Sequence, residues 1–157
     1  MSETLGKKAE GVIKKWLDRP EDGYVCTRLY DQMSGKFLVS RNPCDFICYH
    51  YPNIYYIESK ETEKDAFEFR MIRQNQMKSL CDVHPIKGCY GWIIVLFTTY
   101  KRAFRFNAVD IKALDDSGQK SLNIKKIDKW PIPYKELQTI PSRKEILEYT
   151  GEIGDLI

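Results

Sequence analysis

An aspartate, a glutamate and a lysine in one short stretch have the types and spacing for phosphodiester chemistry. Asp45 lies in Asn42-Pro43-Cys44-Asp45, and Glu58 and Lys60 lie in Ile57-Glu58-Ser59-Lys60-Glu61-Thr62. Two carboxylates that converge can hold Mg²⁺ or Mn²⁺, a hard cation that prefers oxygen ligands. A lysine beside them can position the attacking water or neutralise charge on the phosphorane. A third group from a neighbouring helix can complete such a centre, and Glu10 and Gln76 are the candidates. The alternative at this level is a solvated hairpin carrying a surface ion pair.

The element that must bring these groups together is a hairpin. Ile54-Tyr55-Tyr56-Ile57 is aromatic and β-branched, as a half-buried strand requires. His50-Tyr51-Pro52-Asn53 supplies the turn. A turn centred between Tyr51 and Pro52 pairs residues whose numbers sum to 103, which sets Asp45 opposite Glu58. Side chains alternate along a strand, so Glu58 and Lys60 share a face. Like charges held opposite each other are destabilising without a cation between them.

The chain has 157 residues, 43% hydrophobic and 30% charged, which suits one globular domain over 1–157. Its net charge of +3 does not by itself call for nucleic acid, so a basic surface must come from segregation of charge. Five cysteines without a C-x-x-C motif read as reduced thiols. With no signal peptide and no apolar run of membrane-spanning length, the expectation is a soluble, cytoplasmic protein.

Residues 3–18 are expected to form a helix with Leu5, Ala9, Val12, Ile13, Trp16 and Leu17 on one stripe. Lys7, Lys8, Lys14 and Lys15 sit mostly off that stripe, where they either follow phosphates or form a solvated face. Residues 24–30 and 36–40 read as strands around a turn at Met33-Ser34-Gly35. A second helix is predicted from about Ala66 to Val83, with Phe69, Ile72, Leu80 and Val83 buried. Gln76 interrupts that apolar stripe, and an amide there must face something polar. Arg70, Arg73 and Lys78 lie off the stripe, able to flank the site. Gly91 to Phe97 reads as a central strand buried on both faces. Ala103 to Asn107 reads as an outer strand, with a short helix over Val109–Leu114 after it. Lys120, Lys125, Lys126 and Lys129 form a basic stretch suited to DNA contact. Residues 131–157 read as an extension, with a capping box at Ser142-Arg143-Lys144-Glu145. The order of elements predicts an α/β fold, a central mixed β-sheet flanked by helices.

Residues 42–62 resemble the active-site hairpin of the PD-(D/E)xK nuclease superfamily, with its restriction-endonuclease-like core. Within it they resemble the RecU family of Holliday junction resolvases. That family carries Thr-Asp or Ser-Asp and, 13 residues on, a glutamate in an E-A-K-E-T string; here 58 − 45 = 13 and E-S-K-E-T stands at 58–62. Phe67, Ile72, Asn75-Gln76-Met77 and the glycine-led strand 91–97 follow in the family's order. Gly6 and Glu10 match at the front, and Lys120-Ser121-Leu122 near the back. Cys44 replaces the usual threonine or serine, and Asn75 a usual histidine.

The resemblance implies Asp45 and Glu58 as metal ligands, with the Ser59 carbonyl as a third. It implies Lys60 as the catalytic lysine, Glu10 and Gln76 as accessory groups and Thr62 as a phosphate contact. It also implies a homodimer cutting four-way DNA junctions symmetrically. The family's long basic stalk is shortened here to residues 24–41, with Arg28, Lys36 and Arg41 as its cations; such a compact form would suit a phage-encoded version. A nuclease of the same superfamily with other DNA substrates, or a non-catalytic recombination accessory protein, are the alternatives.

Overall fold

The computed structural model describes residues 13, 14, 17, 18, 20–30, 32–34, 37–40 and 42–137. Among the described residues, ten strands and two α-helices have both ends defined: β1 (Val25–Arg28), β2 (Gln32–Ser34), β3 (Phe37–Ser40), β4 (Phe46–His50), β5 (Asn53–Thr62), β6 (Ala66–Glu68), α1 (Gln74–Asp82), β7 (Cys89–Phe97), β8 (Arg102–Asn107), α2 (Ala108–Asp116), β9 (Ser121–Asn123) and β10 (Lys135–Leu137). The main sheet has six strands in the order β1-β4-β5-β7-β8-β10. Its β5–β7 pair is parallel and its other pairs are antiparallel, so the sheet is mixed. Helices flank it, and the architecture is the expected α/β class, a central mixed β-sheet flanked by helices.

The β4–β5 hairpin has the expected register, with Phe46 opposite Ile57 and His50 opposite Asn53. Its turn is Tyr51-Pro52, with a cis peptide bond. Strand β7 is buried from Gly91 to Phe97, and its side chains divide between two cores. Ile93, Val95 and Phe97 join Leu80, Phe104, Phe106 and Ile111 on the face carrying both α-helices. Trp92, Ile94 and Leu96 join Ile13, Leu17, Phe46 and Ile57 on the other. Ile13 and Leu17 are helical and buried while Lys14 is exposed, as the stripe predicted for residues 3–18 requires. Helix α1 sits so close to β7 that a Cβ on Gly91 would lie 2.1 Å from the Leu80 carbonyl oxygen.

Several expectations are corrected. The second helix begins at Gln74, not near Ala66. Residues 66–68 form β6 and pair with β9, and a 3-10 turn covers Phe69–Met71. The apolar residues of this stretch are buried without being helical. Strand β8 is not outermost, because β10 pairs along it and buries Leu137. Met33 and Ser34 lie in β2, which pairs only with β3, whereas β1 is an integral strand of the main sheet beside β4. The shortened stalk-like segment is therefore partly core. Cys26 and Cys48 face each other in the β1–β4 register and are joined as a disulfide, leaving Cys44, Cys81 and Cys89 free rather than five reduced thiols. The helix predicted after Ser142 lies outside the described residues. Among those residues no helix is long and apolar enough to cross a membrane.

Candidate active site

Asp45 and Glu58 meet because the hairpin register continues one step past β4. Asp45 N–H donates to the Ile57 carbonyl at 3.1 Å. Its carboxylate then turns towards β5, where Oδ2 accepts from the Ser59 N–H at 2.9 Å and the Ser59 hydroxyl at 3.0 Å. Arg28 comes in from β1, with one guanidinium nitrogen 3.4 Å from Asp45 Oδ1 and 3.1 Å from the Asp45 carbonyl oxygen. The Leu29 N–H also donates to that carbonyl, at 2.8 Å. Asp45 is thus fixed from two strands.

Glu58 is in the opposite condition. It is 0% exposed, between β4 and β7 in the sheet, and apart from Lys60 neither carboxylate oxygen has a partner among the described residues. Lys60, two residues on and on the same face, brings its ammonium to 2.6 Å from Oε1 as a close ion pair. Burial first, and the Asp45 charge second, push the Glu58 carboxyl from 4.5 up to about 7, while the charges of Lys60 and Arg73 oppose the rise. Burying a carboxylate is costly, and such groups in clefts are markers of function.

The carboxylates open into a cavity of about 180 Å³ that Ser59, Lys60, Gln76, Arg28, Arg73 and Tyr30 also line. Gln76 is 5% exposed, three residues into α1, and its Oε1 accepts from the Arg73 N–H at 3.2 Å. It therefore caps the helix while standing in the cavity wall. Arg73, immediately before α1, places a second guanidinium there. Cys44 is no nucleophile. It is buried, its Sγ donates to the Phe46 carbonyl at 3.1 Å, and burial above all pushes its thiol up to about 12.

The structure thus brings together Asp45, Glu58, Ser59, Lys60, Gln76, Arg28 and Arg73 from the predicted set. Thr62 shares the face of Glu58 and Lys60 but is not in the cavity. Its hydroxyl accepts from the Lys64 N–H at 3.1 Å and donates to the Ala66 carbonyl at 3.5 Å, closing the turn after β5. Lys120 pairs with Asp115 at 2.7 Å and Lys125 with Asp65 at 2.9 Å, both away from the cavity, and Lys126 is exposed beside Lys125. Lys7, Lys8, Glu10, Lys36 and Arg41 lie outside the described residues. Sequence reasoning missed Tyr30 in the cavity wall and the attachment of Arg28 to Asp45. Both depend on β1 lying beside β4, which no local pattern signals.

The donor set suits a hard divalent cation. A fully buried carboxylate whose close partner is Lys60 faces a second carboxylate fixed at the same mouth, and hard ions of the Mg²⁺ class are commonly held by one or two carboxylates. Among the described residues no third acid, cysteine or histidine joins the pair, so other oxygens would complete the shell.

The Recombination protein U (RecU) family matches this sequence over residues 30–149, spanning the hairpin, α1 and β7. The chain belongs to the RecU family. The hairpin acids, the lysine and Gln76 all lie within the matched range of this RecU chain. No curated protein matches the sequence. A solved structure of Hjc, a Holliday junction resolvase from the archaeal hyperthermophile Archaeoglobus fulgidus, is similar to the RecU chain over 78% of its length and 89% of its own, at 11% identity and a TM-score of 0.48.

Proposed function

We propose that this RecU protein is a divalent-metal-dependent endonuclease that resolves four-way DNA junctions as a homodimer in the cytoplasm, cutting two strands by symmetric phosphodiester hydrolysis. One observation carries the catalytic part. Glu58 is wholly buried and faces Asp45, with Lys60 2.6 Å away as its close partner, an arrangement of two carboxylates that a divalent cation between them would stabilise. Asp45, Glu58 and the Ser59 carbonyl would hold Mg²⁺ or Mn²⁺, with Glu10 as a further accessory group. When bound, that ion supplies Lewis acidity to the scissile phosphate and lowers the pKa of water.

The chain's own groups supply the rest. Ser59 keeps Asp45 Oδ2 oriented by two hydrogen bonds. Lys60 faces the cavity with the positive charge that a pentavalent phosphate needs as it gains negative charge. Arg28 and Arg73 give the cavity a cationic rim for the strand's phosphates, and guanidinium groups suit phosphate oxygens in geometry as well as charge. Gln76 is a fixed polar wall. Lys120, Lys125 and Lys126 would extend phosphate contact beyond the cavity. One cavity addresses one strand, so two symmetric cuts call for a second copy related by a two-fold axis.

The test is cleavage of a synthetic four-way junction and of its linear arms, with and without Mg²⁺ or Mn²⁺. Metal-dependent, paired nicks in the junction, with far slower cutting of the linear arms, are expected. A junction that is bound but survives intact would make the protein an accessory factor. Equal cutting of linear and branched DNA would leave a nuclease that is not a resolvase.

A further inference from the structure

The cavity that holds the two carboxylates has an aromatic wall. Tyr30 lies two residues beyond the end of β1 and lines the cavity with Asp45 and Glu58, yet it is 73% exposed. A lone exposed tyrosine is ordinary, but this one is attached to the catalytic apparatus. The Arg28 guanidinium lies 5.2 Å from its ring centroid, and the same guanidinium contacts Asp45. The residue before it, Leu29, is hydrogen-bonded through its N–H to Asp45. Both the ring and its backbone are therefore referenced to Asp45, while most of the ring surface stays open. The other strongly exposed tyrosine, Tyr51 at 78%, belongs to the hairpin turn. It is six residues from Asp45 along a strand that rises roughly 3.3 Å per residue, too far to serve the same phosphate.

The complementary chemistry for such a ring is a nucleobase. Aromatic side chains stack on bases with little regard to sequence, because every base has a flat π-face. In continuous duplex both faces of each base are covered by neighbours. At a branch, an end or a gap a base loses a neighbour and presents a free face. An aromatic wall beside phosphate-cutting carboxylates thus distinguishes the two situations.

We infer that Tyr30 is a specificity contact that stacks on the nucleobase next to the scissile phosphate and favours strands at a break in base stacking over continuous duplex. This rests on the endonuclease reading, and the experiment separates the two. A junction carrying 2-aminopurine beside the mapped cut is bound in EDTA, where fluorescence reads stacking without any cutting. The wild type should quench the probe, as should Tyr30→Phe and Tyr30→Trp, whereas Tyr30→Ala and Tyr30→Leu should not. With metal, Tyr30→Ala should lower the junction-to-linear ratio of kcat/KM by about tenfold, chiefly through the KM for the junction.

If Tyr30 serves only to steady Arg28 and Asp45, cutting of both substrates falls by one factor and the probe signal is unaltered, which overturns the inference. An unchanged ratio with unchanged fluorescence does the same. If the wild type cuts no DNA, the endonuclease reading fails, and the probe still decides whether Tyr30 stacks on branched DNA. A wild type that neither binds nor quenches the junction overturns both.

Discussion

Replacing Glu58 with glutamine keeps the shape of the side chain and removes the one buried charge at the centre of the site. In the metal-free protein its carboxyl is pushed from 4.5 up to about 7, whereas in the unfolded chain it has its ordinary value. A carboxyl with a raised pKa holds its proton more tightly when folded. Its contribution to stability is therefore fully present below 4.5 and is lost as the pH rises through about 7. That rise corresponds to about 3 kcal/mol, with no discount for solvent screening, since Glu58 is 0% exposed. The Glu58→Gln protein does not pay this cost. Its stability relative to wild type should climb by about 3 kcal/mol between roughly pH 4 and pH 8, measured by urea unfolding in EDTA. Added Mn²⁺ at the upper pH should nearly cancel that difference. A cation at about 100 times its Kd stabilises the wild type by about 2.7 kcal/mol and should leave Glu58→Gln unmoved. A stability difference that stays flat with pH would refute the buried-charge argument. Equal stabilisation of both proteins by Mn²⁺ would refute Glu58 as a ligand.

Three further outcomes are expected. Asp45→Asn and Lys60→Met should each reduce junction cleavage by about 10²–10³-fold while leaving gel-shift affinity in EDTA nearly intact; undiminished cutting would remove them from the site. Gln76→Ala should cost about 1–2 kcal/mol in thermal unfolding, because it leaves the Arg73 N–H without its acceptor, and should slow cleavage as well. Gly91→Ala should cost about 1–3 kcal/mol or more, because the new Cβ would meet the Leu80 carbonyl and push α1 off β7; a neutral result in calorimetry would show that the helix can move freely.

The hairpin of the candidate site was legible because its information is local. A two-residue turn fixes the register, and a period of two then decides that Asp45 faces Glu58 and that Glu58 and Lys60 share a side. Strand β7 was legible because a run buried on both faces has no polar alternation to confuse it. The early start given to the second helix failed for a physical reason. Phe69 and Ile72 are spaced like part of a helical stripe, but their burial comes from a 3-10 turn that follows β6, which pairs with β9. Pairing with a strand so distant in sequence leaves no periodic trace. Gln76 was found because an amide breaks an apolar stripe; its second task, capping α1, shows only once the helix is known to start beside Arg73.

The two halves of the site also differ in what holds them. The Asp45 half is saturated with partners: Ser59 by backbone and hydroxyl, Arg28 by charge, and Leu29 and Ile57 through the main chain. The Glu58 half has packing and the ion pair with Lys60, and no backbone partner among the described residues. Its strand neighbour Ile57 and its β7 partner Ile93 are each 0% exposed, so the side chain cannot swing out to water without opening the sheet. A rigid acceptor beside a less satisfied one is the preorganisation an incoming cation needs: one ligand does not move, and the other gains most by being coordinated. This asymmetry makes Glu58, more than Asp45, the residue through which the fold feels occupancy of the site. Removing the side chain at Asp45 would leave Ser59 donors that water can reach, whereas changing Glu58 alters the balance of the buried sheet itself.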